Sequence, residues 1–182
     1  MNKPKLLHLS TGWTISWQCP EYKEIEKLAN IFHDNLDFKK FIVDSFQARC
    51  LYKNELVCSK DSREILDSDR DKIIDSISRA YKNNTKLFLI THGTYTMPET
   101  WKYLEQNLPK SILEDVSIVI TWAMYPWNIL WSDAPMNIWA SISALLNCEN
   151  ALWVVISMHG KNWNVNNIEK DVWKLLFHVN IK

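Results

Sequence analysis

Lys86-Leu87-Phe88-Leu89-Ile90-Thr91-His92-Gly93-Thr94-Tyr95-Thr96-Met97 carries the reading of the fold. Its apolar run Leu87-Phe88-Leu89-Ile90 does not alternate, which suits a strand covered on both faces, so Lys86–Thr91 is read as extended. A turn crowded with hydroxyls follows, and then a helix predicted over Pro98–Asn107. The same order of events recurs on either side. Upstream, Lys5–Ser10, Phe41–Phe46 and Leu56–Cys58 read as extended, and Glu21–His33 and Asp67–Lys82 as helical. Downstream, Val116–Thr121 and Leu152–Ser157 read as extended, and Ala134–Leu146 and Asn166–Leu176 as helical. Strands alternating with helices imply βαβ units, hence an α/β fold whose mainly parallel sheet is sandwiched between helices in three layers. No repeat, low-complexity tract or linker divides the 182 residues, so residues 1–182 are expected to form a single domain with its own hydrophobic core.

Charge and composition narrow the function classes. Lysine plus arginine and aspartate plus glutamate both number 21, so nothing supplies the basic surface that nucleic acid or an anionic membrane needs. A small-molecule substrate is the expected partner. The apolar stretch Leu6–Leu9 behind Met1-Asn2-Lys3-Pro4-Lys5 is too short for a signal peptide, and no apolar run approaches the ~20 residues of a membrane span. Cys19, Cys50, Cys58 and Cys148 lack any metal-ligand spacing, which favours reduced thiols and a cytoplasmic protein. Neither GxGxxG nor GxxxxGK[ST] is present, and no cofactor or metal is expected.

In parallel sheets ligands bind beyond the C-terminal ends of the strands. Two loops fall there: Ser10-Thr11-Gly12-Trp13-Thr14-Ile15 after the first strand, and Thr91-His92-Gly93-Thr94-Tyr95-Thr96-Met97 after the strand quoted above. Threonine, serine and glycine gather at turns for conformational reasons alone, so neither loop signals chemistry by itself. His92 and His159 each precede a glycine at a strand end, where a packed role is commoner than catalysis. The order of the loops is what carries information. They resemble the two signatures of the asparaginase family, TGGTI and HGTDTM. Between them Lys60-Asp61-Ser62-Arg63-Glu64-Ile65 resembles the family's substrate-binding serine loop. After them Ile120-Thr121-Trp122-Ala123-Met124 and Ser132-Asp133-Ala134-Pro135-Met136-Asn137 resemble its TGAM and SDAPxN segments.

The resemblance implies the family's N-terminal catalytic domain alone, in a short single-domain form with a Rossmann or flavodoxin-like sheet. It implies hydrolysis of a small side-chain amide, such as that of L-asparagine, by a self-associating enzyme. Thr14 then matches the nucleophile, Thr94 the second catalytic threonine, and Lys170 the lysine that activates Thr94, its spacing from Met158 resembling the family's. Tyr22 stands for the tyrosine of the family's mobile loop. Ser62 matches the serine that holds the substrate's α-carboxylate, with Asp61 and Tyr95 as neighbouring substrate-binding positions. These residue types suit the chemistry. A threonine hydroxyl is a poor nucleophile until a base or cation activates it, which a desolvated lysine can do, and backbone N–H groups at a strand-to-helix turn can hold a tetrahedral oxyanion.

Two departures qualify that picture. Tyr95 stands where the family has the aspartate that binds the substrate's α-ammonium, so the site loses a counter-charge. An amide lacking the ammonium, an anionic substrate group, or a catalytically silent binding protein would each suit that change. The other departure is compositional: 3 glycines against 10 tryptophans, where glycine is usually about 7% of a soluble protein. Trp13 and Trp122 fill the glycine positions of TGGTI and TGAM, and Trp17, Trp101, Trp131, Trp139 and Trp153 lie in contexts that host glycine. An indole is no substitute where φ must be positive or backbones touch. The expectation is a gene that reads UGA as glycine, written here in a code that reads UGA as tryptophan, with crowding at those positions; UGG codons at 13, 122 and 139 would end that reading.

Overall fold

The computed structural model describes residues 3–12, 46, 48–125, 132–147 and 154–158, and the backbone of 161–163, 168–171 and 176–179. Strands β1 (Lys5–Ser10), β2 (Leu51–Leu56), β3 (Leu87–Thr91), β4 (Ser117–Thr121), β5 (Val154–Met158) and β6 (Lys161–Trp163) form one sheet in the order β2-β1-β3-β4-β5-β6. The first five are parallel, and β6 runs antiparallel to β5. Helices α1 (Asp67–Lys82), α2 (Met97–Asn107), α3 (Lys110–Leu113) and α4 (Ala134–Leu146) connect them. The architecture is therefore α/β with a mainly parallel sheet.

Side chains alternate across each strand and so build two cores from one sheet. Leu7 and Leu9, Phe88 and Ile90, and Ile118 and Ile120 meet Ile73 and Ile77 of α1 and Trp101 and Leu104 of α2. Their neighbours Leu6, Leu89 and Val119 face the other way, against Ile138, Ile142 and Leu145 of α4. Apolar side chains on both faces are the reason these strands read as continuous runs.

Three expectations need correction. The edge strand lies at Leu51–Leu56, not at Leu56–Cys58, because pairing with β1 from Lys5↔Leu51 to Ser10↔Leu56 extends a segment whose own pattern is mixed and whose Leu51 and Leu56 are exposed. Phe46 is helical, and its carbonyl accepts the N–H groups of Arg49 and Cys50, so the predicted strand over Phe41–Phe46 fails at its end; residues 41–45 lie outside the described ones. The helix predicted over Asn166–Leu176 is replaced by β7 (Ile168–Asp171) and β8 (Leu176–Val179), paired antiparallel with Lys170 opposite Phe177. β-Branched Ile168 and Val179 and aromatic Phe177 favour extended backbone, and the pairing outweighs the helix-like charge run Glu169-Lys170-Asp171. The predicted helix over Glu21–His33 lies outside the described residues.

Among the described residues no helix is long and apolar enough to cross a membrane, and Cys50 and Cys58 are free thiols. Trp101 is buried in α2 with its indole N–H donated to the Val154 carbonyl, Trp122 is buried behind β4, and Trp139 on α4 lies 5.1 Å from the Phe46 ring. Gly12 (85°) and Asn84 (58°) are the positive-φ residues among the described ones, so Trp101, Trp122 and Trp139 do not stand at positive φ. Positions 13, 17, 131 and 153 lie outside the described residues.

Candidate active site

The order β2-β1-β3-β4-β5 reverses direction between β1 and β3, and the crevice beyond their C-terminal ends is where such sheets hold ligands. Three loops meet there. Thr11 at the end of β1 donates its N–H to the Thr91 carbonyl at 3.1 Å and its Oγ1 to the same oxygen at 3.2 Å. The segment after β2 crosses over this junction: Val57 N–H reaches the Ser10 carbonyl at 2.8 Å and Lys60 N–H the Thr11 carbonyl at 3.1 Å. His92 N–H, after β3, reaches the Thr121 carbonyl of β4 at 3.0 Å.

Two glycines let that crossing segment through. At Gly12, φ is +85° and a Cβ would lie 2.7 Å from Ser59 Cα. A Cβ on Gly93 would lie 2.6 Å from Ser62 Cβ and 2.7 Å from Ser62 Oγ. Glycine is thus required at both turns by close approach, and at Gly12 by backbone angle as well. The contact at Gly93 brings Ser62 against the turn that holds Thr94. Tyr95 N–H donates to Ser62 Oγ at 3.2 Å, and Thr96 Oγ1 donates to the Ser62 carbonyl at 2.5 Å. Ser62 and Thr94 are both buried.

Ser62 opens a short 3-10 turn, Ser62–Glu64, because Asp61 caps it by accepting the Arg63 N–H on Oδ1 at 2.9 Å. Arg63 returns along its side chain to Asp61, Nε to Oδ1 at 3.1 Å and Nη2 to Oδ2 at 2.6 Å. The Arg63 side chain's hydrogen bonds hold the Asp61 carboxyl below the usual carboxylate range. The Arg63 guanidinium also sits 5.0 Å from the centroid of the Tyr95 ring. Sequence reasoning missed Arg63, although its place next to a capping Asp-Ser pair was a usable signal.

A buried polar chain supports the Thr94 turn from beneath. The carbonyl of Gly93 can only accept, so His92 Nδ1 carries the hydrogen it donates there at 2.7 Å. Neutral His92 then accepts on Nε2 from Thr100 Oγ1 at 2.8 Å, Thr100 accepts from Arg70 Nε at 3.0 Å, and Arg70 Nη1 donates to Asp67 Oδ1 at 2.6 Å. His92 is therefore a packed residue. His8, buried in β1, bonds Tyr52 through Nδ1 at 2.6 Å and Thr91 Oγ1 through Nε2 at 2.9 Å.

Burial lowers the pKa of His92 to about 4 and that of His8 to about 3, against 6.5 for a free imidazole. Both stay neutral in the fold while the unfolded chain takes up protons near pH 6.5. Stability from these two groups is full above that pH and is lost as pH falls toward 4, then toward 3 for His8 alone. Each depressed group costs about 1.4 kcal/mol per pH unit across its window, so urea midpoints at about pH 5 and about pH 7.5 should differ by the equivalent of about 4 kcal/mol. Equal midpoints would contradict the neutral burial of these rings. Loss from Asp69, held to about 2 by its hydrogen bond from Lys60, falls at lower pH.

The segments after β4 and before α4 also close on each other. Asp133 Oδ1 accepts the N–H groups of Met124 at 2.8 Å and Tyr125 at 3.3 Å, and Asn137 Nδ2 donates to the Trp122 carbonyl at 2.7 Å and to Asp133 Oδ2 at 2.8 Å. Thr94, Tyr95, Ser62 and Asp61 thus share one cluster of loops. Thr14, Tyr22 and His159 lie outside the described residues. Lys170 stands on β7, not on a helix, and only its backbone is described.

The model of the N-terminal asparaginase family matches residues 5–172. No curated protein matches the sequence. The crystal structure of a probable cytoplasmic L-asparaginase from Campylobacter jejuni resembles the chain with a TM-score of 0.72 at 21% identity, over 92% of this chain and 50% of that one. At that identity the likeness speaks for the fold. The chain spans half the length of that structure.

Proposed function

The chain belongs to the asparaginase N-terminal family, and on that premise we propose that it is an amidohydrolase cleaving a small side-chain amide through a threonine nucleophile. The observation that carries this reading is the seating of the Thr94 turn on Ser62, through Tyr95 N–H and the bare Cα of Gly93, beyond the strand ends at the β1/β3 reversal. In the proposed reaction the Thr14 oxygen bonds the amide carbon, the C–N bond breaks, and ammonia leaves with a proton. Water then hydrolyses the acyl-threonine, releasing the carboxylate and restoring the hydroxyl. Thr94 and Lys170 are assigned to proton movement, Tyr22 to the role of the family's mobile-loop tyrosine, and Ser62 to the substrate's carboxylate end, with Asp61 at a neighbouring substrate-binding position. Residues 1–182 as one domain of a cytoplasmic, self-associating protein is the setting we assign to it.

A second reading, a silent binding protein on the same fold, is favoured by the neutral Tyr95 at the family's aspartate position. Ammonia release from a panel of small amides separates the two. The encoded protein should release ammonia and Thr14→Ala should not; equal signals from both would count against the hydrolase.

A further inference from the structure

We infer that β2 is the seam of a two-fold dimer, in which a second copy of this chain lays its own β2 antiparallel along the first, centred on Asn54. The amidohydrolase reading plays no part in this.

Strand β2 is the outermost strand of the described sheet, beside β1. Leu51 and Val57 turn their N–H groups inward, to the carbonyls of Pro4 and Ser10. The two-residue period of the strand therefore turns the main-chain groups of Asn54 and Leu56 outward, away from β1. Such an edge is a template for another strand unless something blunts it, and an exposed lysine, here Lys53, is a usual means. A lysine blunts an edge only while its charge goes unanswered, and the answer lies two residues along the same face. Ser76 Oγ at 2.5 Å and Arg79 Nη2 at 2.7 Å both donate to Glu55 Oε1, which leaves Oε2 to accept from another donor.

In an antiparallel pair, residues directly opposite each other share a face, and those whose main chains point at the partner exchange both hydrogen bonds. With Asn54 opposite the copy's Asn54, the N–H and C=O of each bond the other. Lys53 then falls opposite the copy's Glu55 on both sides of the axis, at the closer Cα spacing of about 4.5 Å where side chains meet. The exposed leucines gain apolar neighbours in the same register: Leu56, 64% exposed, lies across from the copy's Tyr52, and Leu51, 55% exposed, from its Val57. The neighbouring registers that also keep faces matched, centred on Lys53 or on Glu55, set lysine against lysine or carboxylate against carboxylate. Charge thus selects one register, in which the edge is complementary to itself, as a two-fold contact requires.

The measurement is sedimentation of the parent protein and of Lys53→Glu and Glu55→Lys, each alone and then mixed. The parent should sediment as a dimer. Either variant alone turns two attractive pairs into repulsive ones, so its dimer dissociation constant should rise at least about 10-fold. An equimolar mixture of the two should recover the dimer, because every pair across the seam is again opposite in charge. A parent still monomeric at about 1 mM, parental affinity in both variants, or a mixture no tighter than its components overturns the inference. Glu55→Lys also takes an acceptor from Ser76 and Arg79, so amide hydrogen exchange gives a readout that does not depend on its folding. The N–H groups of Asn54 and Leu56 should exchange at least about 10-fold more slowly in concentrated than in dilute parent protein, and equally fast at both concentrations in Lys53→Glu. A dimeric parent in which those two amides exchange at the monomer's rate would place the contact elsewhere and sink the proposal.

Discussion

Thr94→Val should slow amide hydrolysis about 10³-fold and leave the protein folded, because a positioned proton-transfer group contributes roughly 10²–10⁴ in rate. Valine keeps the branched shape that is buried against the turn and deletes only the hydroxyl. Leaving a buried polar partner short of one hydrogen bond costs about 1 kcal/mol, which in a domain of this size shifts Tm by roughly 2–4 °C. The two readouts therefore separate: kcat collapses while the melting curve scarcely moves. Thr94→Ser, which returns the hydroxyl, should recover most of the rate. Parental kcat in Thr94→Val would remove Thr94 from the chemistry.

Gly12→Ala should act in the opposite way, on the fold first. Its φ of +85° is strained for alanine, and the added Cβ would meet Ser59 Cα at 2.7 Å, a backbone atom that no side-chain rotation can clear. Overpacking of this kind costs about 1–3 kcal/mol and the backbone angle about 1 kcal/mol more, so a destabilisation of about 2–4 kcal/mol is expected. At 2–4 °C per kcal/mol that lowers Tm by roughly 5–15 °C. Asn84→Gly is the control, since Asn84 has φ of 58°; it should change stability by less than about 1 kcal/mol. An unaltered Tm in Gly12→Ala would mean that the turn accepts a side chain and that the crossing segment is not seated as described.

What could be read in advance follows from where each signal resides. Helix α1 runs over Asp67–Lys82 and α4 over Ala134–Leu146, as local patterning predicted, because each helix carries its apolar face and end signals within its own residues. The buried strands β3 and β4 were equally plain, being apolar on both faces. Strand β2 and the β7/β8 pair were misread because their extended state is conferred by a partner: β1 for the first, each other for the second. At the site, Ser62 and Thr94 were paired in advance by what the resemblance of their motifs to the asparaginase family implies. The stack of Arg63 on Tyr95 and the chain from Arg70 through Thr100 to His92 join separate elements of the fold and follow no period, so local patterning does not announce them.

The crossing segment touches both turns at their glycines, Ser59 against Gly12 and Ser62 against Gly93. Positions 93 and 62 are then not independent for selection, because the contact at Gly93 is with the Ser62 side chain, whereas Gly12 meets the Ser59 backbone, which every residue at 59 keeps. A randomised library spanning 93 and 62 should return survivors in coupled sets, where a larger residue at 93 is tolerated only alongside glycine at 62. Substitutions at Gly12 should be purged whatever stands at 59, so strong positive epistasis belongs to the 93/62 pair alone.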